Sequence, residues 1–322
     1  MKYLSLFSGI GGFELGIQQA YETSTKPKQL QREDLRSEGH INSLKSGVRK
    51  QQHTCIGFSE IDKYATEIYS KHFPNHKNYG DITTINEKEL PEFDLLVGGF
   101  PCQSFSIAGK RGGFDDTRGT MFFEIARIVR EKQPRLLLLE NVKGLLSHDK
   151  GNTFRTIIST LNDLGYDIQW QVLNSKNHGV PQNRERVFII GHLRGTSRPE
   201  VFPFANDSGA TPIVSGQCSN TLTTRYYGGQ ANGTYVTESK QYAQKDLMIR
   251  DGRDNRSCLR AGRTPEVGVA GQSIRRLTPT ECMRLQGFPD NWCDGVSDTQ
   301  KYKCAGNAVT VNVVRDIFTK ML

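Results

Sequence analysis

Apolar positions along residues 2–192 recur in two alternating rhythms. Short apolar runs closed by turn residues occupy Tyr3–Phe7, Thr54–Phe58, Phe93–Val97, Arg135–Leu139, Asp167–Leu173 and Arg186–Gly191, the pattern of strands. Between several of them, Lys63–His72, Gly119–Lys132 and Asn152–Leu164 carry helical spacing. The alternation predicts an α/β fold, a mostly parallel sheet covered on both faces. The last run, RVFIIG, is expected as an antiparallel addition at an edge.

Residues 193–272 break the rhythm. They hold ten glycines and ten Lys or Arg against seven Asp or Glu, with many Ser, Thr and Asn, which describes a loop-rich or small β domain. Helical pattern returns from Ser273 in LTPTECMRLQGF, where Thr278 can cap, Pro279 suits the first helical position and Glu281 supports the cap. A final helix is predicted over roughly Val309–Met321, after AGN. Residues 22–52 are polar and charge-mixed without an apolar face, and read first as a solvated insertion, then as an exposed helical excursion around Leu30–Ser46 or an added partner-binding element. The expected division is therefore residues 1–192 with 302–322 as one domain, 193–272 as a second, and 273–301 as a connecting hinge.

Composition narrows the class. The 322 residues suit about two domains. No uncharged apolar stretch approaches the roughly 18 to 20 residues a bilayer-crossing helix needs, and the N-terminus makes a poor signal peptide. A membrane protein is not expected. With 42 Lys and Arg against 34 Asp and Glu, the net charge of +8 favours polyanionic partners, without identifying one. The seven cysteines are odd in number and include no C-x-x-C pair, which favours reduced thiols in a cytoplasm over a disulfide framework or a metal cluster.

Chemistry concentrates in the turns after the strands. Phe7-Ser8-Gly9-Ile10-Gly11-Gly12-Phe13-Glu14 is a glycine turn that allows close backbone approach to a nucleotide-like ligand. Glu14 stands where a dinucleotide fingerprint wants glycine and would repel a pyrophosphate, so a cofactor without phosphate here fits better. Glu60 and Asp81 are read as ending the second and third strands, on the edge where such sheets bind ligands. Alone they read first as helix caps; beside the glycine turn the balance reverses and they read as acceptors for ribose hydroxyls and an adenine amino group. Pro101-Cys102-Gln103 offers a thiol on a strand-to-loop turn before the Gly-rich, basic stretch AGKRGGFDDTRG; a lone cysteine is otherwise a small buried hydrophobe. Glu140 follows four leucines and should be partly desolvated, as suits a group that holds or gives a proton. In Gln182-Asn183-Arg184-Glu185-Arg186, alternation places Gln182, Arg184 and Arg186 on one face, a phosphate clamp or oxyanion support, or else a salt-bridge ladder with Glu185.

In order, FSGIGG, Glu60, Asp81, GGFPCQSFS, ENVKG, QNRERV, RRLTPTECMRLQGFPD and AGNAV resemble the motif set of the DNA cytosine-5 methyltransferases over residues 1–20, 54–192 and 273–322. The resemblance implies a Rossmann-like S-adenosylmethionine-dependent methyltransferase domain with a mostly parallel sheet and a small loop-rich target-recognition domain. Cys102 matches the nucleophile that adds to C6 of a flipped-out cytosine. Glu140 matches the group that hydrogen-bonds N3 and the exocyclic amine, and Arg184 and Arg186 match those that hold the O2 edge and nearby phosphate. The implied cofactor contacts are Phe7, Gly9, Gly11, Glu60, Ile61, Asp81, Ile82, Asn307 and Val309. DNA contacts are implied for Gln103, Ser106, Lys110 and Arg118 on the loop after Cys102, and for Thr221, Arg225, Tyr226, Tyr227 and Gln230 in the recognition domain. The implied cofactor is S-adenosyl-L-methionine, leaving S-adenosyl-L-homocysteine, with no metal. The implied partner is double-stranded DNA, with a cognate restriction endonuclease as a companion not in contact; a cytoplasmic monomer is expected.

Three departures bear on these expectations. Ile61 stands where relatives often place a larger aromatic, the 22–52 insertion sits where relatives usually pass directly from first helix to second strand, and a recognition domain of about 80 residues favours a brief target. A tRNA cytosine-5 methyltransferase is disfavoured because Cys-Phe-Thr is absent. A silent DNA-binding relative is disfavoured by the complete set of nucleophile, acid and arginines, and a nicotinamide oxidoreductase by Glu14.

Overall fold

The computed structural model describes residues 1–25, 53–101, 121–197, 199–204, 219–220, 235–239, 248–250 and 272–322. Its centre is a six-stranded sheet with strands β1 (Lys2–Leu6), β2 (Thr54–Ser59), β3 (Leu95–Gly99), β4 (Leu136–Val142), β5 (Tyr166–Asn174) and β7 (Glu185–Leu193), in the order β2-β1-β3-β4-β7-β5. The first four run parallel, and β7 is antiparallel to both β4 and β5. Mostly parallel, helix-covered architecture is thus as expected.

The RVFIIG strand is antiparallel but lies inside the sheet, and β5 forms the edge. Side-chain content explains the exchange. Val187 to His192 are all buried, as a strand covered on both faces requires, whereas β5 carries Gln169, Gln171 and a half-exposed Trp170. The strand expected to end at Asp81 shrinks to one bridge, Phe58 with Asn78, closed by Phe58 N–H to Lys77 O at 2.9 Å and Tyr79 N–H to Phe58 O at 2.7 Å. The chain then turns at Gly80 (φ +73°), and the Asp81 carboxylate caps a 3₁₀ turn over Ile82–Thr84.

Two helical layers cover the sheet. On one face α1 (Gly12–Thr25) and α7 (Val311–Met321) bury Phe13, Ile17, Val314 and Phe318 against Tyr3, Val97, Leu138 and Ile190. On the other, α3 (Met121–Lys132) and α4 (Asn152–Asp163) bury Ile125, Val129, Ile157 and Leu161 against Leu4, Leu6, Leu137 and Leu139. Alternate residues of one strand feed opposite layers, so β4 serves both cores. Each fully buried leucine there contributes roughly 1.5–3 kcal/mol.

A third cluster joins α1 and α2 (Lys63–His72) to the C-terminal segment. Ile10, Leu15 and Ile68 pack with residues of α5 (Pro279–Leu285), with Trp292 and with Ala305 of α6 (Asp298–Asn307). The expected capping of α5 is present, since Thr278 and Glu281 form a reciprocal capping box and Pro279 holds the first position. Helix α6 has no counterpart in the sequence reading, and α7 begins at Val311, two residues after the predicted start.

Beyond Leu193, Val201 and Phe202 still pack into the α1–α7 core. The two-residue strands β6 (Gln182–Asn183) and β8 (Ser219–Asn220) pair in parallel, and β9 (Tyr235–Ser239) lies between β10 (Met248–Arg250) and β11 (Gln272–Arg276). The rest of the expected recognition domain lies outside the described residues, as do residues 26–52 of the insertion; its first residues, through Thr25, extend α1. No described helix is long and apolar enough to cross a membrane.

Candidate active site

The carboxyl edge of β1, β2, β3 and β4 converges on a cavity of about 390 Å³. At β1 the chain enters a tight turn, with Phe7 at φ +53° and Gly11 N–H bonded to Ser8 O at 3.1 Å. A Cβ on Gly11 would lie 2.6 Å from the Phe73 ring, in a conformation (φ +89°) that already favours glycine. Gly9 N–H reaches across to Glu60 Oε2 at 2.8 Å, and the other carboxylate oxygen accepts from the N–H groups of Ile61 (2.9 Å) and Asp62 (2.8 Å). Of the roughly four acceptor positions on a carboxylate, this leaves Glu60 one on Oε2.

Asp62 caps α2 through Tyr64 and Ala65 N–H and pairs with Lys303 of α6. Burial opposes its ionisation, but the Lys303 ammonium and the helix N–H groups outweigh this and hold its carboxyl below the usual range. Lys303 is correspondingly raised, chiefly by Asp62.

The base of the cavity is charged. Glu140, next to last but one on β4, faces Arg186 of β7, with Nε 3.1 Å from Oε1 and side chains 12 % and 15 % exposed. The carboxylate also presses on β3: a Cβ at Gly99 would meet Glu140 Oε2 at 3.1 Å. Asn141 donates to Phe100 O at 2.9 Å and so fixes the main chain just ahead of Pro101, which lines the cavity and precedes Cys102 in the chain. Glu185 turns away and pairs with Lys143, so no ladder forms between Glu185 side chain and the two arginines. Arg184 is 2 % exposed and gives both Nη2 hydrogens to main chain, to Gly306 O (3.1 Å) and Ala308 O (2.9 Å). Burial, with Arg186 beside it, pulls its guanidinium down to about 9, while Glu140 works in the opposite direction.

One cavity thus collects Phe7, Gly9, Glu60, Glu140, Arg184, Arg186 and Asn307. Five other expected cofactor residues stand apart from its lining. Gly11 lies under the turn, Ile82 is 2 % exposed in the α3 core, and Val309 packs against Gly12, where an added Cβ would meet it at 2.8 Å. Ile61 and Asp81 are exposed. Lining residues to which the sequence assigns no site role include Asp62, Asn141, Lys303 and Cys304. Asp62 carries an N-cap signal before Lys63; Lys303 carries none, because its helix has no apolar stripe in the sequence. Cys102, Gln103, Ser106, Lys110, Arg118, Thr221, Arg225, Tyr226, Tyr227 and Gln230 lie outside the described residues.

A wider cavity, about 680 Å³, follows the edge strand β5 past Trp170 and Phe202; its described lining offers glutamines and Glu200 but no paired acid and base. Among the described residues no group of three or more His, Cys, Asp or Glu is placed to hold a metal.

The family model for C-5 cytosine-specific DNA methylase matches residues 1–214 and 206–322. The Type II methyltransferase M1.ScrFI of Lactococcus lactis subsp. cremoris is 37 % identical, covering 100 % of this chain and 78 % of its own. The Type II methyltransferase M.HhaI of Haemophilus parahaemolyticus is 32 % identical over 98 % of this chain and 93 % of its own. Among solved structures, a DNMT2 mutant from Spodoptera frugiperda superposes with a TM-score of 0.67 at 18 % identity, covering 99 % of both chains, a likeness of fold. The chain belongs to the C-5 cytosine-specific DNA methylase family and is a DNA (cytosine-5-)-methyltransferase.

Proposed function

We propose that this methyltransferase modifies C5 of a cytosine flipped out of duplex DNA at one short sequence, as part of a restriction-modification system. The observation that carries the reading is the shared cavity: the Glu140–Arg186 pair at its base and the Gly9–Glu60 link on its wall open to one space.

The donor set fits S-adenosylmethionine. Glu60 keeps one acceptor position for a ribose hydroxyl, Phe7 supplies an apolar surface, and a space of about 390 Å³ is in the range of small-ligand sites. Asp62 on this wall is paired with Lys303, which leaves Glu60 as the carboxylate beside the ligand space. In this reading Asn307 closes the cofactor wall, Gly11 closes the turn, Val309 packs behind it, and Ile61, Asp81 and Ile82 belong to the adenine side. When bound, S-adenosylmethionine supplies an electrophilic methyl group.

The chain supplies the rest. C5 of cytosine is a weak nucleophile until electrons are pushed into the ring. The Cys102 thiolate adds to C6, and the displaced electron pair makes C5 nucleophilic. Glu140 shares a proton with N3 as negative charge develops there, and Arg186 holds both Glu140 and the O2 edge. After C5 takes the methyl group, loss of the C5 proton to solvent returns a pair to the ring and expels Cys102 as thiolate. A stacked base is out of reach of this constellation, so the base must leave the helix, at a cost of about a few kcal/mol. Gln103, Ser106, Lys110 and Arg118, with Thr221, Arg225, Tyr226, Tyr227 and Gln230, are the proposed DNA contacts.

Duplex DNA synthesised with 5-fluorocytosine tests the covalent step, because fluorine at C5 cannot leave as a cation. With S-adenosylmethionine present, a denaturation-resistant adduct is expected for the wild-type chain and none for Cys102→Ala. Adduct formation by Cys102→Ala, or none by a wild type that methylates ordinary DNA, would remove Cys102 as nucleophile.

A further inference from the structure

We propose that Arg184 is a positioning residue of the cofactor wall: its guanidinium holds the Gly306–Ala308 segment so that Asn307 faces the cavity. The inference rests on the assignment of that cavity to S-adenosylmethionine. It reassigns Arg184 from the cytosine side, where the family resemblance places it, to the opposite wall.

Both hydrogens of one nitrogen are committed to the two carbonyls that flank Asn307, Gly306 O at 3.1 Å and Ala308 O at 2.9 Å. Asn307 itself is exposed and lines the cavity between them. These carbonyls terminate α6, where unsatisfied acceptors and the negative end of the helix dipole favour a cation. At 2 % exposure Arg184 has little surface left for a base, whereas Arg186 reaches Glu140 directly.

The same segment is held by a second side chain. Gln286, just after α5, donates to Ala305 O at 2.7 Å, and its side-chain oxygen accepts from Thr310 Oγ1 at 2.9 Å. Gln182, two residues before Arg184, donates to Leu285 O at 2.8 Å. Residues 182, 184 and 186 therefore anchor, in turn, the end of α5, the end of α6 and the acid Glu140. A lysine at 184 would keep the charge but, as a point donor on a flexible stem, would lose the fixed fork that spans two carbonyls.

Calorimetric titration of the full chain with S-adenosylhomocysteine, without DNA, tests this. Arg184→Met is expected to weaken Kd about tenfold or more, the scale for losing charge-assisted hydrogen bonds, at a stoichiometry near one. Asn307→Ala should weaken binding in the same direction, and the double variant should be no weaker than the more affected single, as residues acting through one another require. Arg184→Lys should fall between wild type and Arg184→Met, and decides the matter alone if the methionine variant does not fold. An unchanged Kd in either Arg184 variant, even with fewer competent molecules, would reduce Arg184 to a general structural or substrate-side role and overturn the proposal. Failure of the wild type to bind S-adenosylhomocysteine at all would instead overturn the cofactor assignment, and the proposal with it.

Discussion

Arg186 and Glu140 meet across two antiparallel strands, with Nε 3.1 Å from Oε1. Their registers are offset: Arg186 lies opposite Val142 and Glu140 opposite Phe188, so the pair is a diagonal contact of the β4–β7 ladder. The diagonal places a hydrogen-bonded carboxylate at the floor of the cavity. Glu140→Gln is expected to keep the shape while losing the proton shared with N3, slowing single-turnover methyl transfer by about 10²- to 10³-fold with DNA affinity little changed. Weaker DNA binding at unchanged turnover would make Glu140 a structural group. Glu140→Ala should in addition cost about 3 kcal/mol of stability in urea unfolding, because Arg186 is left largely buried without its partner.

Cys102→Ala should abolish methyl transfer while S-adenosylhomocysteine and DNA still bind, since the thiolate acts only in the bond-making step. Appreciable turnover by this variant would contradict the assignment.

Glu14, in the first turn of α1, is 1 % exposed and accepts from the Tyr69 hydroxyl at 3.0 Å, which in turn meets His76 Nδ1 at 3.0 Å. Burial raises its carboxyl from 4.5 to about 7, against lowering by Ser5 and Tyr69. Because the folded value lies above the unfolded one, the native state holds a proton that the unfolded chain releases, and stability falls as pH rises from 4.5 to about 7. The shift corresponds to roughly 3 kcal/mol at 1.36 kcal/mol per pH unit. Glu14→Gln keeps an acceptor for Tyr69 and cannot ionise. Its stability relative to wild type should therefore grow across that window and level off above it, as urea unfolding at pH 5 and pH 8 would show. A constant difference would mean Glu14 ionises as freely folded as unfolded.

The insertion begins and ends close together, since the Tyr21 and His53 rings stack with centroids 4.6 Å apart. Replacing residues 26–52 by a bridge of roughly six Gly and Ser residues should therefore leave the fold closed, at little loop-entropy cost. S-adenosylhomocysteine affinity and Tm are expected to hold. Loss of DNA affinity alone would identify the insertion as a DNA-contacting element.

Much of this was legible in the sequence because burial wrote it there. The four leucines of β4 and the glycine turn after β1 left strong local patterns, and α2 falls on the predicted Lys63–His72. Legibility failed where neighbours set the outcome. Treating residues 182–186 as one continuous strand put Gln182, Arg184 and Arg186 on one face aimed alike. In the structure β6 ends at Asn183 and β7 starts at Glu185, and Arg184 between them is drawn to the carbonyls at the end of α6. Helix α6 itself has no apolar stripe to announce it: DTQKYKCAGN buries only Cys304, Ala305 and Gly306. Its Lys303, and hence the pairing with Asp62 on the cavity wall, was invisible for the same reason.

Sequence-specific methylation of duplex DNA is tested most directly by incubating the chain with methyl-labelled S-adenosylmethionine and unmethylated duplex DNA, then sequencing the product by a method that reports 5-methylcytosine at each position. Label fixed at cytosines of one short recurring sequence is the predicted result, and it would deliver the target as well. Label on RNA instead, or none on DNA by a chain that binds S-adenosylhomocysteine, would contradict it.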